Sequence, residues 1–203
     1  MIVRIISVIV GSYLIGSISS AYLITKLLKG VDIRKIGTGN SGAANVFYEV
    51  GRLPGILAGI LDVFKGALPI WLASILNVPE VVIVIAAVAV VLGHNWSIFL
   101  KFQGGAGFSP ILGVAFFLVP REVIIAGLGS FAISYLLNLV PVCRRCLKKL
   151  STGIALTLIT LPILAWLFEE PTYKIYLFIF LAIALFLKRV KIIRQTLTKL
   201  KTE

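Results

Sequence analysis

The chain has 203 residues, of which 59% are hydrophobic and 14% are charged, and its formal net charge is +12. Soluble domains carry roughly 25% charged residues, so this composition excludes an ordinary soluble domain and predicts an all-helical integral membrane protein. A basic balance can serve nucleic acid, but here the lysines and arginines flank apolar segments, which favours anionic membrane lipid as the partner.

Seven apolar segments predict seven transmembrane helices, because about 20 mostly apolar residues are needed to span a bilayer. The first is expected to be a retained helix rather than a signal peptide, since no small-residue cleavage site follows a short apolar core. The fourth is short and is expected to be tilted or partly re-entrant. We expect residues 1–203 to form a single seven-helix domain. The predicted spans are Ile5–Leu28, Leu53–Leu76, Val81–Leu100, Ile111–Val119, Val123–Val142, Ile154–Phe168 and Tyr173–Leu187.

Basic residues concentrate on one side of this arrangement. With the N-terminus outside, the outer segments hold only Arg4, Arg121 and Lys174, while Lys65 lies within a span. The sixteen basic residues of the inner segments are Lys26, Lys29, Arg34, Lys35, Arg52, Lys101, Arg144, Arg145, Lys148, Lys149, Lys188, Arg189, Lys191, Arg194, Lys199 and Lys201. Because cytoplasmic loops are enriched in lysine and arginine, we expect a multi-pass protein of the inner (plasma) membrane with a cytoplasmic C-terminus.

The second predicted span carries charges at membrane depth. Asp62 and Lys65 are three residues apart, so they share a helix face and can pair. A lone charge at this depth costs about 2.5 to 3.5 kcal/mol on insertion scales. The pair is either a structural ion pair that fixes the helix register or a polar wall of a substrate site. In the same span Gly51, Gly55 and Gly59 recur every four residues, a pattern typical of close helix packing.

Two glycine-rich loops interrupt the apolar sequence, and the predicted topology places both on the cytoplasmic face. The first loop is residues 37–42, Gly-Thr-Gly-Asn-Ser-Gly, and the second is residues 104–107, Gly-Gly-Ala-Gly. Backbone N–H groups in such loops can form a nest for an anion, although each loop could also be a simple turn. The first is not a P-loop, because no Gly-Lys-Ser/Thr follows it. Two such loops on one membrane face favour an anionic headgroup substrate.

The remaining polar candidates are a single histidine and a cysteine pair. His94 precedes the second loop, and it is either a structural hydrogen-bonding residue or a catalytic one. Cys143 and Cys146 form a Cys-x-x-Cys pair, but no second pair or nearby histidine completes a metal site. We therefore expect incidental free thiols and no bound metal.

Several ordered blocks resemble the bacterial membrane glycerol-3-phosphate acyltransferases that use acyl phosphate. The blocks are Gly11-Ser-x-x-x-Gly16-Ser, Asp32-Ile-Arg-Lys-x-Gly-Thr-Gly-Asn-x-Gly-Ala-x-Asn45-Val, Leu61-Asp-Val-Phe-Lys-Gly66-x-x-Pro, Gly93-His-Asn-Trp and Phe99-Leu-Lys-Phe-x-Gly-Gly105. The resemblance covers Gly11 to Gly107 and implies acyl transfer from acyl phosphate to glycerol 3-phosphate, which yields lysophosphatidic acid. It implies no metal or diffusible cofactor.

The resemblance also assigns expected roles to residues of this chain. Catalytic roles are expected for His94, Thr38 and Asn45. Substrate contacts are expected from Gly37, Gly39, Asn40, Ser41, Gly42, Asp62, Lys65, Lys101, Gly104, Gly105, Gly107, Lys188 and Arg189.

The chain departs from the family pattern at charged positions. Ala106 stands where the family has a loop lysine, and Tyr48 stands where it has an arginine. Lys101, Lys188 or Arg189 could replace the missing charges. The alternative function is therefore a non-catalytic lipid- or phosphate-binding paralogue, and a further one is a related acyltransferase with altered substrates. A channel or transporter is weaker, since the sequence has no internal repeat or charged pore ring.

Overall fold

The structure is a computed structural model that describes residues 1–139 and 149–200, with side chains except at 149–152, 189 and 191–200. In this described part of the chain, all regular secondary structure is helical. The helices are α1 (Ile2–Ser17), α2 (Ser20–Lys29), α3 (Ala43–Glu49), α4 (Arg52–Ile75), α5 (Glu80–Asn95), α6 (Phe108–Leu118), α7 (Pro120–Leu137), α8 (Lys149–Leu167) and α9 (Thr172–Leu200), with 3₁₀ turns at Ile33–Lys35 and Ile98–Leu100. The all-helical prediction is confirmed, whereas the cysteine pair and its basic neighbours before Lys149 lie outside the described residues.

Four segments of the described chain are long and apolar enough to cross a membrane. They are Ile2–Lys29, Arg52–Ile75, Glu80–Leu100 and Pro120–Leu137. Two further apolar helices, Phe108–Leu118 and Gly153–Leu167, are shorter. The predicted fifth span ends at Val142, which lies outside the described residues, and α7 ends at Leu137. The C-terminal helix continues past the predicted end at Leu187 to Leu200.

The prediction of one continuous helix from Ile5 to Leu28 is wrong. The helix breaks at Ile18, whose backbone is extended (φ −67°, ψ 116°), and α2 begins after Ser19. The Ser19 side chain caps the new helix by accepting a hydrogen bond from the Tyr22 N–H at 3.2 Å. The break frees the Ile18 carbonyl, which accepts a hydrogen bond from the Lys65 ammonium at 2.6 Å. A polar break thus lies inside an apolar span.

The chain contacts divide it into two compact units, Met1–Val114 with Ile183–Glu203, and Ala115–Ala182. In the first unit, α1 and α5 pack backbone to backbone. A Cβ atom at Gly16 would overlap the Val90 carbonyl, and one at Gly93 would overlap the Tyr13 carbonyl. Such close packing stabilises helix association in lipid, where burial of apolar surface contributes little.

The glycine stripe of α4 also packs closely, as predicted. A Cβ atom at Gly55 would overlap the Phe47 backbone of α3, and one at Gly59 would touch Ala43 at 3.6 Å. On the other side, Gly66 lies against the Pro110 carbonyl of α6. α4 is therefore held between the helix that follows the first glycine loop and the helix that follows the second.

The second unit contains polar contacts among its apolar helices. α7 and α8 pack together, and the Ser130 and Thr160 hydroxyls lie 3.3 Å apart. The buried Glu122 carboxylate pairs with the Arg121 guanidinium at 2.9 Å. Lys174 pairs with the Glu170 carboxylate and also donates to the Leu118 carbonyl at 3.0 Å.

Candidate active site

The two charges of α4 pair inside the first unit, as their spacing predicts. The Lys65 ammonium lies 2.8 Å from Asp62 Oδ1, and the Ser20 hydroxyl donates to the same oxygen at 2.9 Å. Both charged residues are almost inaccessible to solvent, at 1% for Asp62 and 6% for Lys65. Lys65 also holds the free Ile18 carbonyl described above, so the pair fixes the break between α1 and α2 and brings Ser20 to the site.

His94 lies on the last turn of α5, between this ion pair and the second loop. Its Nδ1 is 3.9 Å from Asp62 Oδ2, which is beyond hydrogen-bonding distance, and this buried nitrogen has no hydrogen-bond partner among the described residues. The other edge of the ring faces Gly105, where a Cβ atom would overlap Nε2. The imidazole therefore lies between the charged pair and the loop backbone.

The second loop is attached to the end of α5. The Gly104 N–H donates to the Asn95 carbonyl at 3.2 Å, and the Gly105 N–H donates to the His94 carbonyl at 3.0 Å. These two N–H groups satisfy carbonyls that the helix end leaves unpaired. The glycines are required here for close approach, and an anion would have to displace these bonds to use the same N–H groups.

The first loop is held by Asn45. The Asn45 amide donates to the Ile33 and Ile36 carbonyls, both at 3.1 Å, while its Oδ1 accepts from the Thr38 N–H at 3.1 Å. Gly39 donates its N–H to Ile36, also at 3.1 Å. Both the amide nitrogen and the amide oxygen of Asn45 are thus hydrogen-bonded to backbone groups of the loop region. Such contacts indicate that Asn45 positions the loop.

The first loop lies against the second, where a Cβ atom at Gly105 would lie 3.1 Å from the Ser41 carbonyl oxygen. The Ser41 hydroxyl donates to the Gln103 carbonyl at 3.2 Å. Near this contact, the Arg34 guanidinium donates to the Leu100 carbonyl at 2.9 Å and pairs with Asp32 at 2.6 Å. The hydrogen bond from Arg34 holds the pKa of the Asp32 carboxyl below its ordinary value. An ion pair thus secures the segment that enters the first loop.

The C-terminal helix contributes Lys188 to the same place. Its ammonium donates to the Asn95 carbonyl at 2.5 Å and lies 5.0 Å from the centre of the Trp96 ring. The residue is only 7% exposed, so a positive charge is held beside the second loop. The side chain of Arg189 lies outside the described part of the chain.

Other predicted site residues lie at the surface. Thr38 and Lys101 are exposed. Tyr48, which stands where the family has an arginine, is 72% exposed. Reasoning from sequence missed two residues that the structure brings into the cluster, Ser20 and Asn95. The signal for Ser20 was the group of small residues in the first span, and the signal for Asn95 was only its place beside His94.

By class, this is an integral membrane protein of apolar helices with a buried polar cluster, which touches the second glycine loop through His94. A family model described as "Glycerol-3-phosphate acyltransferase" matches residues 6–199. The chain belongs to the glycerol-3-phosphate acyltransferase family.

Relatives and solved structures agree with this membership. Glycerol-3-phosphate acyltransferase 1 of Dehalococcoides mccartyi is 41% identical over 162 residues, which are 79% of this chain and 74% of that protein. The crystal structure of PlsY, an integral membrane glycerol 3-phosphate acyltransferase, in its glycerol 3-phosphate form has a TM-score of 0.76 and 27% identity. Its lysophosphatidic acid form has a TM-score of 0.79 and 28% identity. Each of the two alignments covers 96% of this chain and 92% of the PlsY chain. These similarities do not favour the non-catalytic alternative.

Proposed function

We propose that this protein transfers an acyl group to a hydroxyl of glycerol 3-phosphate and so forms lysophosphatidic acid for phospholipid synthesis. The observation that carries the proposal is the position of His94, which lies 3.9 Å from the carboxylate of the buried Asp62–Lys65 pair and faces Gly105 of the second glycine loop with its other ring edge. A structural ion pair alone would not need an unpaired imidazole nitrogen beside it. The family membership and the glycerol 3-phosphate and lysophosphatidic acid forms of the PlsY structures support the same substrate and product.

The acyl donor in this proposal is acyl phosphate. The glycerol hydroxyl oxygen forms a bond to the acyl carbonyl carbon, the bond from that carbon to the phosphate oxygen breaks, and the hydroxyl proton leaves with inorganic phosphate. Each substrate carries one phosphate, which suits a site made of two joined loops. Such a reaction gains chiefly from positioning and from stabilisation of developing charge.

The residues have distinct roles in this proposal. His94 directs one ring edge towards the reacting groups at the second loop, and Asp62 faces its other edge. Lys65 and Lys188 supply positive charge from inside the protein, in a chain whose loop position 106 is alanine. Asn45 positions the first loop through three backbone contacts. Thr38, on the first loop, keeps its proposed catalytic role. The remaining proposed substrate contacts come from the loop glycines, Asn40, Ser41, Lys101 and Arg189.

We also propose that one seven-span domain places this site at the cytoplasmic face of the inner membrane, with the N-terminus outside. The family match runs through both compact units, and the charge distribution favours this orientation. A cysteine-free background is made by replacing Cys143 and Cys146 with serine. A membrane-impermeant maleimide should then label Asn77→Cys in intact cells and should leave Lys101→Cys unlabelled, whereas the reverse pattern would contradict the topology. The basic inner loops also suit contact with anionic lipid.

Activity is tested with purified protein in detergent, palmitoyl phosphate and glycerol 3-phosphate. We expect phosphate release above a heat-inactivated control. His94→Gln should lower the rate by about 100-fold or more, the range for loss of one group that stabilises developing charge. Ser74→Ala is the matched control and should keep the original rate, because the hydroxyl of this half-buried residue donates to the Trp71 carbonyl of its own helix. Absence of phosphate release from the unaltered protein would contradict the proposal.

A further inference from the structure

Asn95 carries an unpaired amide in the interior of the first unit. Its side chain is completely inaccessible to solvent, and neither Oδ1 nor Nδ2 has a hydrogen-bond partner among the described residues. Buried amides are nearly always hydrogen-bonded, because an unsatisfied one loses its contacts with water and gains none in return. No role for Asn95 follows from its place in the sequence, and none of the roles proposed above uses its side chain.

The surroundings hold this amide in one place. The Asn95 backbone carbonyl accepts from the Gly104 N–H at 3.2 Å and from the Lys188 ammonium at 2.5 Å. The amide itself packs on the Cα of Gly107, where a Cβ atom would overlap Oδ1. Gly107 also has a φ of +99°, which favours glycine. Asn95 is therefore positioned against the second loop, one residue after His94.

The chemistry of the amide selects its ligand. A carboxamide has N–H donors and a carbonyl acceptor, whereas a phosphate dianion has acceptors only. A phosphate oxygen would pair with Nδ2 and leave Oδ1 unpaired, while a hydroxyl can accept from Nδ2 and donate to Oδ1. The unpaired atoms of Asn95 are thus complementary to an alcohol. Glycerol 3-phosphate has two hydroxyls, and acyl transfer to its primary hydroxyl leaves the secondary one unreacted.

We propose that Asn95 binds the unreacted secondary hydroxyl of glycerol 3-phosphate and thereby sets the specificity for a glycerol backbone. This inference rests on the proposed function, because it assigns a group of the same substrate to one residue. The hydroxyl reaches the amide when the backbone of the second loop moves aside. The conformational freedom of glycine at residues 104, 105 and 107 permits that movement.

The test compares two acceptors, glycerol 3-phosphate and 3-hydroxypropyl phosphate, which lacks the secondary hydroxyl. The measured quantity is the ratio of their kcat/KM values with palmitoyl phosphate as donor, because this ratio does not depend on the fraction of folded protein. The unaltered protein should prefer glycerol 3-phosphate by at least about 100-fold, since a site that binds a hydroxyl rejects an analogue without it. Asn95→Leu should lower this ratio by about 10- to 100-fold.

Ser97→Ala is the matched control. Ser97 is equally buried and lies two residues away, but its hydroxyl donates to the Ser17 carbonyl at 2.5 Å, so its loss should leave the ratio unchanged. Equal use of both acceptors by the unaltered protein would overturn the proposal. An Asn95→Leu variant that loses activity equally with both acceptors would overturn it too, because the amide would then have a structural role or bind an internal water.

Further measurements are needed if an Asn95 variant, or the unaltered protein itself, shows no activity. Where Asn95→Leu does not fold, Asn95→Ser is measured in the same way and should show the same fall in the ratio. Where neither variant is active, the proposal is judged from the ratio of kcat/KM values of the unaltered protein for the two acceptors. If the unaltered protein itself releases no phosphate, the proposed function fails, and thermal stabilisation then tests the inference separately. Stabilisation by glycerol 3-phosphate but not by 3-hydroxypropyl phosphate supports it, and equal or absent stabilisation contradicts it.

Discussion

Lys65→Met should destabilise this protein strongly, because it removes the cation of a buried ion pair. Among the described residues, the Asp62 carboxylate would keep only the Ser20 hydroxyl as a hydrogen-bond donor, and the Ile18 carbonyl at the helix break would lose the Lys65 ammonium. Breaking a buried pair by removing one partner costs about 3 to 5 kcal/mol. In a protein of this size each kcal/mol lowers Tm by about 2 to 4 °C, so we expect Tm to fall by roughly 10 °C.

Lys174→Met is a closely matched control for this prediction. Lys174 also pairs with a carboxylate, at 2.7 Å, and also donates to a backbone carbonyl, but the side chains of its pair are 17% and 21% exposed rather than 8% and 2%. It should cost about 1 kcal/mol or less, because solvent screens the more exposed pair.

Tm is followed in detergent through the fluorescence of the three tryptophans. The double variant Asp62→Leu/Lys65→Met should recover part of the loss, since it leaves no unpaired buried charge. The reasoning would be refuted by equal losses for the two single lysine variants. A double variant no more stable than Lys65→Met would refute it as well.

Three further changes test the loops and their support. Ala106→Lys should raise the rate of phosphate release by about 10-fold, since charge-assisted contacts to phosphate are strong; an unchanged rate would show that the site does not need a charge there. Gly105→Ala should lower the same rate by at least about 10-fold, because its Cβ would overlap the neighbouring imidazole, whereas Gly129→Ala, with open space around it, should have no effect. Asp32→Asn should lower Tm at neutral pH, because the hydrogen bond from Arg34 lowers the folded pKa of Asp32 below 3.8. The Tm difference from the unaltered protein should close as the pH falls below 3.8 through that lowered folded pKa, and a pH-independent difference would contradict this origin.

The helical architecture could be read from the sequence because lipid permits few alternatives. Long apolar runs must satisfy their own backbone groups, which makes them helices. The pairing of Asp62 with Lys65 followed from a spacing of three residues on one helix. These features depend on local periodicity alone, and local periodicity is visible in a single sequence.

The break at Ile18 could not be read in the same way. Its carbonyl is satisfied by Lys65, which is 47 residues away in the chain. The apolar character of the first span gives no sign of this contact, and Ser19 reads as one small residue among several. A side chain from another helix decides where the first helix ends.

The chemistry of the second loop was also only partly visible. Its glycines indicated an anion cradle, but the N–H groups of Gly104 and Gly105 bond to the last carbonyls of α5. The unpaired amide of Asn95 and the position of Lys188 beside it depend on packing between distant segments. Residue type suggests what a group can bind, whereas only the fold shows which partners it already has.

The most direct test of the central claim is to measure both products in one reaction. Purified protein, palmitoyl phosphate and glycerol 3-phosphate are incubated in detergent, and lysophosphatidic acid is measured by mass spectrometry alongside inorganic phosphate. We predict equal molar amounts of the two products, and neither when glycerol 3-phosphate is omitted. Phosphate without lysophosphatidic acid, or no product above the heat-inactivated control, would contradict acyl transfer to glycerol 3-phosphate.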